Sequence, residues 1–473
     1  MADERERLLA DDVEGGAVTT TTRKQSSRPS RSSSWRLALA VAASVCLVAG
    51  VGVISYVEHQ RQSIPTTEGV WSGSLSRVSW NPSSGFSFKY ESNIDAYMKR
   101  AKPAGQVIED SIRKYYPQRI SPTSRPFDIF YTIRDEPVTK CFESKYNAEH
   151  CRSETLAPVF AFGSSPKNTS RIPFLRSATL SVLAQCLDED GVLRDSGAVI
   201  TETTRFDKCE LLSMDGTGMF KKENMPDQSE YEWSALYDKA VWRGSDYPYL
   251  SPAVSSTAAT ASDPFVHSIE LAGDKSAKMK EILAGHAVGP RFRAVLMSFL
   301  HPNVIDAKFF NHYPSGGSLE QTRHKMGLSA EQMMNLETLG RYKYQLDLGG
   351  AGGTTWRGIL PKLAMPGVLF HHETPMRDSF YGKITPWKHY LPLDEDLGNF
   401  FQLIEWVKLH PDEAKKISAT ATKWVEDFTT VASQLRHNYE ALVVPLGEAL
   451  AGDDGAPLPP VPFTEAHPGL KGI

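Results

Sequence analysis

The amino-acid sequence predicts an α/β protein of two domains with parallel sheets, preceded by a single N-terminal transmembrane helix. Three observations carry this. A chain of 473 residues accommodates two domains of common size and an appendage. Strand-like and helical runs alternate on both sides of a loop-rich acidic stretch at residues 227–232. One apolar run near the N-terminus is free of charge. Composition is ordinary for a globular protein, 41% hydrophobic and 23% charged, and the net charge of −4 argues against a nucleic-acid partner, which favours a strongly basic face.

Residues 1–36 are rich in Ser, Thr and Arg and are expected to form a disordered cytosolic tail. Residues 37–57 follow as 21 uncharged positions, enough for a helix across a bilayer core of about 30 Å. Arg23, Lys24, Arg28, Arg31 and Arg36 precede the run, so the positive-inside rule puts the N-terminus in the cytosol and the large C-terminal part across the membrane. A cleaved signal peptide is disfavoured by the long charged leader and the length of the apolar run. Cys141, Cys151, Cys186 and Cys209 then face an oxidising lumen as disulfide candidates, with three pairings open; no CxxC spacing suggests zinc. Asn168-Thr169-Ser170 is a glycosylation sequon that this topology permits.

Residues 58–90 read as a stem, with a proline and Ser/Gly turn material. The first domain, 91–235, begins with a helical run at 94–115 and continues with strand-like runs at 126–133, 157–162 and 199–206. In the second domain, 236–450, a strand at 239–242 is followed by a strand or short buried helix at 291–300. A strand at 342–348, a helix at 356–364 and a strand at 367–371 come next. Leu397, Phe400, Phe401, Ile404 and Val407 recur at helical spacing. A further helix opens at Pro411-Asp412-Glu413, and its apolar face runs through Ile417, Trp424, Phe428, Val431 and Leu435. Residues 451–473 are expected to be a flexible tail.

Three segments bear chemistry. Residues 342–357 run from a strand through a glycine-rich turn to a helix start carrying Thr354, Thr355 and Arg357. Glycines let backbone N–H groups approach a phosphate, the helix start adds partial positive charge, and an arginine can fork onto a diphosphate. The pattern is neither a Walker A loop nor GxGxxG, so an ATPase or a dehydrogenase is not supported. Val241-Trp242-Arg243-Gly244-Ser245 sits beyond a predicted strand, where Arg243 and Ser245 could hold the same phosphates. Asp135, at the carboxyl end of the 126–133 strand, is a candidate general base. The bland counterparts are a packing turn, a solvated arginine and a turn aspartate.

Together, in this order, these segments resemble glycosyltransferase family 90, the group of protein O-glucosyltransferases and capsule xylosyltransferases. The likeness is strongest over residues 342–428, in Lys343-Tyr344-Gln345-Leu346-Asp347-Leu348, Thr354-Thr355-Trp356-Arg357 and Pro386-Trp387-Lys388-His389-Tyr390-Leu391-Pro392. The resemblance implies a GT-B fold of two facing Rossmann-like domains, an acceptor-side N-terminal one and a donor-binding C-terminal one. It implies inverting transfer from a UDP-sugar, with UDP-glucose or UDP-xylose the leading donors, and no required cofactor or metal. Carried over by position, Asp135 is the base, and Arg243 and Arg357 neutralise the departing diphosphate. Gly350, Gly352, Thr354 and Thr355 line it, Ser245 assists, and Glu373 reaches the donor ribose. The region 160–168 lacks the tryptophan of the family's protein-acceptor stretch, which leaves a protein or a glycan as acceptor. The expected setting is the Golgi or endoplasmic reticulum membrane, single-pass type II with the catalytic part lumenal. Two other readings compete. Asp188-Glu189-Asp190 and Asp394-Glu395-Asp396 have the DxD form of metal-dependent GT-A transferases, and a catalytically inactive relative would bind sugar or partner without turnover.

Overall fold

The computed structural model describes residues 75–90, 95–133, 159–161, 163, 171–173, 228–246, 263–285, 288–312, 318–331, 334–350, 355, 358–374, 376–451 and 456–468, all within the unit Thr66–Ile473. The tail, the apolar run at 37–57, all five cysteines, Asn168, Asp188-Glu189-Asp190 and the strand expected at 199–206 lie outside the described residues. Among the described residues no helix is long and apolar enough to cross a membrane.

Among the described residues, two five-stranded sheets organise the fold. The first joins β1 (Ser76–Asn81), β2 (Gly85–Lys89), β3 (Phe127–Tyr131), β4 (Val159–Ala161) and β5 (Arg171–Pro173) in the order β2-β1-β3-β4-β5. Strict alternation puts Ser76, Val78 and Trp80 on the buried face of β1, the period-2 signature of a sheet covered on one side. β1 pairs antiparallel with both β2 and β3, while β3, β4 and β5 run parallel. This corrects two expectations: the sheet is mixed rather than parallel, and the hairpin Ser76–Lys89 belongs to it although residues 58–90 read as a stem. α1 (Asp95–Tyr115) covers this sheet with Ile108 and Ile112, and the Tyr131 hydroxyl donates to the Ala101 carbonyl at 2.9 Å.

The second sheet joins β6 (Tyr237–Asp246), β7 (Ile305–His312), β8 (Tyr342–Asp347), β9 (Val368–His372) and β10 (Leu391–Leu393), all parallel, in the order β10-β9-β8-β6-β7. Between β6 and β7 lie α2 (Asp263–Glu270), α3 (Lys275–Ala284) and α4 (Pro290–Leu300). α5 (Ser318–Lys325) and α6 (Leu336–Gly340) precede β8, and α7 (Ile359–Ala364) precedes β9. α4 resolves the ambiguity at 291–300 in favour of a helix: Gly289-Pro290 starts it, and Phe292, Val295 and Leu296 bury one face. Every residue of β9 is buried, as expected of a strand flanked by neighbours and covered on both faces. After β10, α8 (Phe400–Leu409) and α9 (Pro411–Phe428) close the second core.

The helical face expected to continue through Leu435 is cut after Phe428. Thr430 caps a new helix, α10 (Val431–Asn438), by accepting the Ser433 N–H at 3.2 Å. A π-turn (Tyr439–Val443), α11 (Val444–Ala449) and α12 (Phe463–Ala466) follow, and this segment returns to the first sheet. Leu442, Val443, Leu446 and Phe463 share a core with Ile108, Ile112 and Tyr131. Residues 456–468 are strapped down, not a flexible tail. The Val461 N–H donates to the Tyr115 carbonyl at 2.8 Å, and the Tyr115 hydroxyl meets His467 Nε2 at 2.7 Å. The boundary expected at residue 450 therefore falls inside one packed unit.

Candidate active site

Counted from β6, the parallel sheet has the order 2-1-3-4-5, and its direction of winding reverses between β6 and β8. Ligands of such sheets bind beyond the carboxyl ends of the strands at that switch point. Here the switch point lies between Ser245-Asp246, ending β6, and Leu348-Gly349-Gly350, following β8. Close packing shapes the approach from β6: a Cβ on Gly244 would collide with the Trp242 indole, which packs edge-on against Phe309.

Arg291, one residue into α4, spans the switch point. Its Nη1 donates to the Ser245 carbonyl at 3.0 Å, its Nη2 to that of Leu348 at 3.2 Å and its Nε to that of Gly349 at 3.0 Å. Across the turn, the Gly349 N–H donates to His372 Nδ1 at 3.1 Å. With Nδ1 an acceptor, the ring proton sits on Nε2 and reaches the Glu395 carbonyl at 2.8 Å. Burial pushes the His372 imidazole down to about 4, with His371 and Arg291 adding to the effect and the Glu395 carbonyl opposing it.

Beneath the turn lies a buried polar network. Asp347, the last residue of β8, accepts from Lys362 Nζ at 2.9 Å and is bonded to His371 Nδ1 at 3.0 Å. Burial alone would raise its carboxyl, but Lys362, His371 and Thr355 outweigh that and hold it well below the usual carboxylate range. Thr355 is buried; its N–H and its hydroxyl both reach the Tyr381 hydroxyl, at 3.2 and 2.9 Å. Tyr381 and Tyr390 meet the His371 ring edge-on. The glycine-rich turn is thus anchored at its start by Arg291 and His372 and near its end by Thr355.

The residues expected from sequence divide as follows. Ser245, Gly350 and Thr355 lie around this turn, Ser245 contributing its carbonyl to Arg291. Glu373 follows β9, bonded through its N–H to Leu393 at 2.8 Å and through Oε1 to the Tyr390 hydroxyl at 2.9 Å, with Arg377 at 3.8 Å. Asp135, Gly352, Thr354 and Arg357 lie outside the described residues. Ile133, two positions before Asp135, is buried in the first core.

Arg243 differs from expectation. Its guanidinium turns back along β6 to the Asp306 carboxylate at 2.9 Å and to the Asp306 carbonyl at 2.7 Å, with its side chain 8% exposed. Asp306 pairs opposite Val241, two residues nearer the amino end of the strand, and also accepts from the Tyr342 hydroxyl. A half-buried carboxylate on the neighbouring strand is a stronger draw than the open strand end, so Arg243 is held in an ion pair there.

Arg291, Asp347, Lys362, His372 and Tyr381 were not singled out from sequence as site residues. Asp347 alone carried a signal, as a carboxylate closing a strand immediately ahead of a glycine-rich run. At Asp394-Glu395-Asp396, Asp394 and Asp396 are exposed, and Asp396 caps its own turn by accepting the Gly398 N–H at 2.8 Å. Among the described residues no cluster of His, Cys, Asp or Glu is arranged to hold a metal.

Residues 285–434, from just before α4 into α10, match the family described as Glycosyl transferase family 90. The chain is 28% identical over 129 residues to protein O-glucosyltransferase 3 of Mus musculus, covering 27% of this chain and 24% of that protein. It is 39% identical over 79 residues to protein O-glucosyltransferase 2 of Danio rerio, covering 16% of this chain and 15% of that protein. With protein O-glucosyltransferase 1 of Homo sapiens it shares 26% identity over 134 residues, 28% of this chain and 32% of the relative. The chain therefore spans a third or less of the length of each of these relatives, and the likeness to glycosyltransferase family 90 is centred on residues 285–434.

Proposed function

We propose that this protein is an inverting glycosyltransferase of GT-B arrangement that moves glucose or xylose from a UDP-sugar to a hydroxyl of a protein or glycan. The observation that carries the reading is the clamped glycine-rich turn at the switch point of a 2-1-3-4-5 parallel sheet, inside the family-matched span. The name protein O-glucosyltransferase, shared by these relatives, favours glucose and a protein acceptor.

In this reading the donor diphosphate sits over residues 349–355, and Arg357 balances the charge that builds on it. The Asp135 carboxylate takes the proton of the acceptor hydroxyl, and the oxygen attacks the anomeric carbon from the face opposite UDP. The bond from that carbon to the diphosphate oxygen breaks, and UDP leaves with the electron pair. Arg243 would join the phosphates only by leaving Asp306. The reaction is taken to need no metal. The setting proposed is the lumen of the Golgi or endoplasmic reticulum, with residues 37–57 as anchor.

The test is transfer by the purified chain from about residue 65 onward, screened across UDP-sugars with EDTA present. Turnover of one donor is expected to survive EDTA. Asp135→Asn is expected to lower transfer by about 10²- to 10⁴-fold, the usual contribution of a general base. Nucleotide binding without turnover of any donor, equal in Asp135→Asn and wild type, would overturn the reading in favour of an inactive relative.

A further inference from the structure

We propose that Arg291 and His372 form a two-sided clamp on the Leu348–Gly349 peptide, positioning the glycine-rich turn to receive the donor diphosphate. The clamp deepens the functional reading above and rests on it for the identity of the ligand. The peptide is held at both poles: Arg291 Nη2 donates to its carbonyl at 3.2 Å and its N–H donates to His372 Nδ1 at 3.1 Å. Arg291 Nε takes the next carbonyl, that of Gly349, at 3.0 Å. Two successive carbonyls and one N–H are thereby fixed where β8 gives way to glycines.

Glycine is the residue with the most backbone freedom to lose, so an unrestrained Gly349-Gly350 would meet an anion in many orientations. A turn oriented before the ligand arrives spares the donor that ordering cost. Arg291 also ties the turn to the end of β6 through the Ser245 carbonyl at 3.0 Å, so both sides of the switch point hang on one guanidinium. On the other side His372 is braced by Nε2 donating to the Glu395 carbonyl at 2.8 Å, which carries the clamp to the turn beyond β10.

The clamp works with a neutral imidazole. A proton added at Nδ1 would point at the Gly349 N–H and break that bond, and the new cation would face Arg291 on α4. His371 on β9 and the Asp347 carboxylate on β8 are the other charged or titratable groups around the ring. Burial, His371 and Arg291 keep the ring neutral down to about pH 4, so the clamp holds above that value and opens as pH falls through it.

Two variants separate positioning from folding. In His372→Ala the turn loses its N–H acceptor; in His372→Asn the amide Oδ1 can stand where Nδ1 stands but does not titrate. We expect His372→Ala to raise the donor KM and the UDP dissociation constant at least about tenfold, with kcat within about twofold, as for binding energy lost equally from ground and transition states. We expect His372→Asn to restore most of the affinity and to bind UDP down to pH 4 without the weakening seen in wild type. Hydrogen exchange of the peptide covering 346–358, measured without nucleotide, should accelerate in His372→Ala and not in His372→Asn. Unchanged exchange and unchanged KM in His372→Ala would overturn the clamp. So would an Asn variant as impaired as Ala, or one with the wild-type acid limb. If the exchange pattern appears but wild type binds no nucleotide, the clamp stands and the assignment of its ligand fails.

Discussion

Asp347 is 1% exposed in its side chain, yet it is ionised, because Lys362 approaches Oδ1 at 2.9 Å and His371 approaches Oδ2 at 3.0 Å. Removing one partner of such a pair leaves an uncompensated buried charge, which costs far more than the pair contributes when intact. Lys362→Ala is therefore expected to destabilise the protein by about 3 kcal/mol, read as a lower urea midpoint at pH 7. A loss below about 0.5 kcal/mol, the scale of a surface substitution, would show that Lys362 is only a surface cation. Because the carboxyl is held below its unfolded value, its contribution is full above the ordinary carboxylate range and is lost as pH falls through the folded value. The sequence exposed Asp347 as a strand end but not this role. Its partners come 15 and 24 positions later, from a helix and the next strand, and only the parallel register brings them together. Arg243 shows the reverse case. Its position at a strand end was legible, but its partner Asp306 lies 63 residues away on a strand that the pattern did not reveal.

That strand, β7, is an edge strand whose Asp306 and Lys308 interrupt the apolar pattern while Ala307 and Phe309 are buried. Elements buried on both faces, β8 and β9, or marked by proline and acids, such as α9, were readable because a single rule accounts for each. The hairpin of β1 and β2 and the C-terminal strap were not, since short alternating or proline-rich segments read equally well as linker until their partners are known. The strap makes a prediction at this scale. A Cβ on Gly447 would collide with the Leu458 carbonyl, whose own N–H donates to Gly447 at 2.9 Å. Gly447→Ala should lower stability by about 1–3 kcal/mol as residues 456–468 are displaced. In a chain ending at residue 451 the same substitution should cost less, because the Leu458 carbonyl is gone and only the Tyr116 hydroxyl, 3.1 Å from the added Cβ, remains close. Equal losses in both backgrounds would mean that the clash is not with the strap.

Across the whole molecule, burial holds several histidines neutral. His372 and His467 are pushed down to about 4 and His437 to about 3, burial being the first cause in each and neighbouring cations adding to it. In the unfolded chain each would take a proton near pH 6.5, so between that pH and about 4 the unfolded state binds more protons and stability must fall on acidification. The expected slope is up to roughly 1.4 kcal/mol per pH unit for each histidine, measured as urea midpoints from pH 7.5 to 4.5; a flat profile would refute it. These three sites sit at the glycine-rich turn, at α10 and at the C-terminal strap, so acid loosens both halves together. The route of the chain has a consequence in time as well. The second core draws mainly on residues 240–417, but the first is incomplete without Ala432, Leu442, Leu446 and Phe463. During synthesis domains ordinarily close in the order in which they emerge. Here the half made second can close first, while the half made first waits with an open hydrophobic face until residues 432–463 have been made. A ribosome that stalls between residues 417 and 463 would then hold a finished second core tethered to an unfinished first one, a species for quality control to recognise.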